Sequence, residues 1–329
     1  MDNSHVRFGV VLNHVAIDSD LPWQIGGWTL DRATRDEVDQ FRELLIGFVS
    51  QPYAAGQPAQ EFRLELEGNQ VRPHPLAKED WRYLVLRPTA SAVHWQQLTE
   101  AARLANTELL VELWATQGPV RTSSGAPALG TMYDQSQCVR FFSSFRSAWP
   151  IPTARPDSGE LHALVELRAA LDQTQYADIA RLISDFRTLD VVPDPARIKL
   201  LGYFGVIEGL LTHNPALGDA SDSISKQLQR NLAIVNSILP DGFSTHLEEF
   251  AGATLSQVTS ELYNYRSRIA HGGSGDRAVR WLTERRPPQT AEWADHDWMH
   301  SFVRHLTKCS LIAALTDPEA CVQLRRRPA

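Results

Sequence analysis

Residues 262–273 read Leu-Tyr-Asn-Tyr-Arg-Ser-Arg-Ile-Ala-His-Gly-Gly. Arginine keeps its proton at any physiological pH, so Arg266 can bind or stabilise an anion but cannot serve as a base, and its planar fork suits phosphate. Histidine, with an unperturbed pKa of about 6.5, can act as acid or base at neutral pH, which is the chemistry His271 could supply. An arginine and a histidine with no carboxylate beside them make a poor peptidase and a poor metal site; they make a reasonable phosphodiester site. RNA carries its own nucleophile, the 2′-hydroxyl. The protein then has to provide a base for that hydroxyl, an acid for the leaving 5′-oxygen and positive charge around the phosphorane. One histidine cannot be base and acid in the same instant, whereas two copies from two protomers about a two-fold axis can.

The spacing around these residues predicts a helix. Leu255, Val258, Leu262, Tyr265 and Ile269 form an apolar stripe, and Gly272 and Gly273 supply a left-handed C-cap. At about 100° per residue, Arg266 and His271 point about 140° apart and border the opposite face, with Ser267 and Ala270 between them. Small side chains there let a second helix or a substrate come close. His271 falls in the last turn, where the helix dipole favours a cation. From residue 266 to 286 the chain carries Arg266, Arg268, Arg277, Arg280, Arg285 and Arg286 against only Asp276 and Glu284, a basic island in a chain of net charge −7. The spacing alone is not specific. An arginine followed after four to six residues by a histidine also occurs at Arg7–His14, Arg87–His94 and Arg155–His162, in or beside expected strands, a proline turn and a linker.

The 329 residues are enough for two domains, and 43% hydrophobic with 22% charged residues is a globular composition. The acidic balance argues against binding nucleic acid through bulk charge while leaving a local basic site open. Cys138, Cys309 and Cys321 are too far apart for a disulfide framework or a zinc pattern, which suits a reducing cytoplasm. No secretory leader and no apolar run of membrane-spanning length is legible. The prolines and glycine of 149–159 read as a linker between an α+β domain (1–148) and an all-α domain (160–329). In the first, 5–12, 61–68, 80–88 and 108–116 are expected strands. Residues 31–49, with an aspartate to cap it, and 91–106, with Ser91 as N-cap, are expected helices. In the second, helices are expected over 160–189, around Leu200, Phe204, Ile207 and Leu211, around Ile224, Leu228, Leu232 and Val235, over the signature helix, and over 298–315.

The stretch 262–272 resembles the RxxxxH signature of HEPN domains, and in particular of the ApeA-like HEPN group. The resemblance extends over most of 160–325, since "YFGVIEGLLT" and "SISKQLQRNLAIV" resemble the two preceding helices of that group and "SFVRHLTKCSLIAAL" its closing one. It implies a HEPN-like helical bundle that dimerises with the two motifs meeting at the interface. It also implies metal-independent cleavage of RNA, with tRNA among the candidate substrates, leaving a cyclic phosphate and a 5′-hydroxyl, with Arg266 and His271 as the motif residues and no cofactor. Many such proteins act in bacterial defence against phage or as toxins, which implies a phage-derived trigger or an inhibitory partner. Many HEPN nucleases place Asn, Asp or His directly after the motif arginine, where this chain has Ser267. Two other readings stand beside this one: a catalytically inert HEPN module that binds RNA, a nucleotide or a partner protein, and a scaffold in which the 266–271 face is only a dimer contact.

Several side chains have two readings. Glu208, in an otherwise apolar segment, is either a partner that holds Arg266 or Arg268, as the resemblance favours, or a boundary residue facing solvent. Arg268 either binds a flanking phosphate or is an ordinary surface arginine. Tyr263 either stacks on a base or packs at a dimer contact. His296 and His300 have the i, i+4 spacing of zinc ligands, but no glutamate follows His296 and no cysteine is near, so no metal site is expected. Trp293 and Trp298 read as core or interface anchors. The N-terminal domain carries no catalytic motif and is expected to recognise or regulate.

Overall fold

The structure is a computed structural model that describes residues 3–13, 15, 17, 21–48, 62–68, 70–75, 83–121, 127–132, 155–193, 196–215, 222–287 and 294–326. The chain divides into two compact units, Met1–Ala169 and Ala170–Ala329. No described helix is long and apolar enough to cross a membrane.

The first unit is built on an antiparallel sheet. Strands β1 (Val6–Val11), β2 (Trp23–Ile25), β3 (Trp28–Arg32), β6 (Leu84–Pro88), β7 (Val111–Arg121) and β8 (Pro127–Met132) lie in the order β2-β3-β6-β1-β7-β8. Strands β4 (Phe62–Glu67) and β5 (Gln70–Pro75) form a separate hairpin. Helix α1 (Arg35–Phe48) closes one face, where its Val38 and Leu44 join Phe8, Val10, Val85, Leu113 and Ala115 in one apolar cluster. The other face is tryptophan-rich. Trp114 meets Trp28 with ring centroids 5.4 Å apart and Trp95 of helix α2 (Trp95–Leu104) at 5.5 Å. Gly9 lies beneath Trp114, because a Cβ there would come within 2.6 Å of the ring.

Two expected caps move. Thr34, not Asp31, opens α1, exchanging hydrogen bonds with Glu37 in a capping box, while Asp31 belongs to β3. His94, not Ser91, caps α2 through its ring Nδ1, which accepts from the Gln96 N–H at 3.4 Å.

The helical segment expected over 160–189 is two helices. The first, α3 (Ser158–Ala170), lies almost wholly in the N-terminal unit. Its Arg168 reaches Glu100 of α2 with Nε–Oε2 at 2.7 Å, and Glu160 accepts from the side-chain amide of Asn106 at 3.0 Å. The units therefore part at residue 169/170, ten residues beyond the expected start of the helical domain; residues 149–154 of the expected linker lie outside the described residues.

The second unit is helical: α4 (Ala177–Thr188), a short 3-10 turn (Leu189–Val191), α5 (Arg197–Leu211), α6 (Ile224–Ile238), α7 (Leu255–Ala270), α8 (Asp276–Thr283), α9 (Asp295–Thr316) and α10 (Pro318–Leu324). Helix α9 is its axis. Residues Leu306–Leu315 are all buried, and α9 packs on α4, α5, α6, α8 and α10. The buried hydroxyls of Thr307 and Ser310 are satisfied by donating to the carbonyls four residues back. Trp298 is a core residue, stacked on Phe302 at 5.2 Å and edge-on to Phe250; Trp293 lies outside the described residues. Leu200, Phe204, Ile207 and Leu211 of α5 are all buried, as the stripe predicts.

Candidate functional site

Helix α7 is fixed at both ends. Thr254 accepts from the Gln257 N–H at 3.3 Å and its own N–H donates to Gln257 Oε1 at 2.8 Å, a reciprocal capping box. At the other end His271 is the C-cap. Gly272, at φ 78°, follows it, with the Gly272 N–H on Ile269 O at 3.0 Å and the Gly273 N–H on Arg268 O at 2.7 Å, the paired bonds of a Schellman motif. Arg197, at the start of α5, donates Nη1 to the Gly273 carbonyl at 3.1 Å. Val258, Leu262, Tyr265 and Ile269 are buried and Leu255 is half-buried, so the stripe faces the core and the signature residues border the surface.

Glu208 is the partner of Arg266. Nη2 of Arg266 donates to Oε2 at 2.9 Å, and Nε lies 2.8 Å from Oε1 in an ion contact without hydrogen-bond alignment. The pair is largely shielded, with side-chain exposures of 30% for Arg266 and 15% for Glu208. Two edges of the carboxylate thus set the plane of the guanidinium, while Nη1 has no partner among the described residues. Arg268 does not share Glu208; its side chain is exposed and likewise has none.

His271 is exposed. Its backbone N–H donates to Ser267 O at 3.1 Å, and no partner holds its ring among the described residues. Tyr263 and Ser267 are half-buried and Ala270 is exposed, so the small-residue surface beside Arg266 is open in the single chain. Tyr265 is no acid–base candidate: burial, helped by Asp276 and opposed by Arg197, pushes its phenol up from the ordinary range.

The turn after the signature is sterically determined. Gly275 has φ 71°, and a Cβ on it would lie 2.5 Å from Cδ2 of the buried Tyr265 ring. The Gly275→Ala protein should therefore unfold at lower denaturant concentration, by about 2–4 kcal/mol, from left-handed backbone strain and a displaced ring together. Urea titration followed by circular dichroism measures it; a loss below about 0.5 kcal/mol contradicts the packing described.

Two competing chemistries are weak. Cys309 Sγ lies 3.5 Å from His305 Nε2, but burial pushes its thiol up to about 12, so it carries no thiolate at neutral pH. Among the described residues no group of three His, Cys, Asp or Glu side chains could hold a metal ion, His296 and His300 included. Sequence reasoning did not use Arg197 or identify helix α8, although the run of arginines after His271 was visible. Comparison with family models, curated proteins and solved structures finds no match to this chain.

Proposed function

We propose that this chain is a metal-independent endoribonuclease of the HEPN type, working as a homodimer with a composite site. The observation that supports this most is the Arg266–Glu208 pair on the same helix as a partner-free His271 at a capped, exposed end. Glu208 orients the arginine and leaves Nη1 for a phosphate oxygen; the histidine is open to solvent. In this reading His271 of one protomer takes the 2′-hydroxyl proton as O2′ attacks phosphorus. The same residue of the second protomer protonates O5′ as the P–O5′ bond breaks. The products are a 2′,3′-cyclic phosphate and a 5′-hydroxyl, with no water consumed. The N-terminal unit then acts as a sensor or target selector for a toxic activity, released by a phage-derived trigger or held by an inhibitor.

Purified protein incubated with RNA, tRNA included, in excess EDTA should still cleave, and mass spectrometry should find 2′,3′-cyclic phosphate ends. Complete loss in EDTA, restored by magnesium or manganese, sinks the mechanism. One feature favours the inert-module reading: Glu208 neutralises Arg266, and nothing described orients the His271 ring. Growth arrest on expression that disappears with His271→Ala decides for catalysis; equal effects of both proteins decide for binding.

A further inference from the structure

The arginines of the helical unit divide by partnership. Arg181 faces Asp178 and Asp185, Arg230 faces Asp222, Arg286 faces Asp295 and Arg304 faces Asp190. Arg268, Arg277 and Arg280 are exposed and their side chains have no hydrogen-bond or ion-pair partner among the described residues. Segment 266–286 has six arginines against two acids, a net of +4, so the rest of a chain of net −7 carries −11. In a protein this acidic, cations left unpaired together stand out.

Helix α8 explains why they lie in a row. Ala278, Val279 and Leu282 are buried, which turns Arg277, Arg280 and Trp281, at i, i+3 and i+4, to the other side. The helix starts where Gly275 meets the Tyr265 ring. It ends where the Arg285 carbonyl accepts from the Ala251 N–H at 2.9 Å, just ahead of α7. It therefore runs back along α7 for about 12 Å from the turn that follows His271. Near its far end the Arg285 guanidinium sits 4.4 Å from the centre of the half-buried Trp281 ring and donates to the Trp281 carbonyl at 2.9 Å. A single small anion would need one of these cations. A row of them beside an aromatic ring fits a flexible polyanion with flat groups, which is single-stranded nucleic acid.

We propose that the outward face of α8, with Arg277, Arg280 and the Arg285-covered Trp281, together with Arg268 at the end of α7, is a track that holds single-stranded RNA as it approaches Arg266 and His271. The track rests on the RNA reading above for its substrate, and on unpaired charge and helix geometry for its place. Because Arg266 is neutralised by Glu208, the attraction for the RNA backbone comes from these neighbours.

The test uses the full chain with His271→Ala, so that RNA stays intact, and fluorescence anisotropy of a labelled single-stranded RNA about 12 nucleotides long. Adding Arg277→Gln and Arg280→Gln should weaken binding at low salt at least about tenfold and lower the slope of log affinity against log salt by about 1.4, two phosphate contacts' worth. Arg277→Lys with Arg280→Lys should keep the slope, and Arg181→Gln should change nothing. An unchanged slope in the glutamine pair overturns the track, as does polyglutamate competing as well as RNA, which would mark a surface for an acidic protein. The two proposals fail separately. Wild-type protein that cleaves RNA, with the glutamine pair binding and cleaving as well, removes the track alone. Slope-dependent binding by a wild-type protein that never cleaves removes the nuclease and keeps the track.

Discussion

Replacing His271 with alanine is expected to lower RNA cleavage by about 10²–10⁴-fold, the usual weight of a general acid–base group, while leaving the fold intact. The ring is exposed and makes no described contact, and the helix end is held by backbone bonds to Gly272 and Gly273, so stability should change by no more than about 0.5 kcal/mol. Arg266→Ala is expected to behave differently. It too should abolish cleavage, but it leaves the Glu208 carboxylate shielded and unpaired, which costs about 1–3 kcal/mol. Removing both partners in Arg266→Ala/Glu208→Ala should recover part of that stability and none of the activity. Single-turnover cleavage and urea unfolding of the four proteins read both axes. If His271→Ala keeps most of its activity, the residue is a helix cap and nothing more. If Arg266→Ala is as stable as the wild type, the ion pair has no structural role.

What the sequence disclosed follows from the range of the interactions involved. Helices α5, α6, α7 and α9 were legible because burial repeats along them, as with Leu200, Phe204, Ile207 and Leu211. Helix α3 was legible as a helix but not as part of the sheet unit. Its apolar residues have a helical period whichever partner they meet, and what assigns it is Arg168 on Glu100, 68 residues away. The hairpin of β2 and β3 was missed although Gly26 and Gly27, both at positive φ, separate two apolar runs; the strands are only three and five residues long. Helix α8 was missed because eight residues make only about two turns, too short for even a clear amphipathic pattern to stand out as a helix until Tyr265 and Gly275 fix the turn before them. At the site, Arg266 and His271 could be placed on a helix from spacing, whereas the choice between Arg266 and Arg268 as partner of Glu208 required the packing of α5 on α7.

The proposed sharing of the site between two chains should show most sharply in mixed dimers. Chemistry requires a base and an acid together, and each chain offers one histidine in the signature. The surface around it suits close approach: Ser267 is half-buried, Ala270 is exposed, and neither blocks a second helix brought in by a two-fold axis. Ser267→Trp should therefore weaken dimerisation and activity in parallel, as read by light scattering and cleavage at matched concentrations. A tagged heterodimer of wild type with His271→Ala keeps every arginine and one histidine. It should cleave at least about 10²-fold more slowly than the wild-type dimer, because the surviving histidine has no counterpart to act as acid when it acts as base. Half the wild-type rate in that heterodimer, or full activity from a protein that is monomeric at assay concentration, would show that one chain holds a complete site and that the two-histidine mechanism is mistaken.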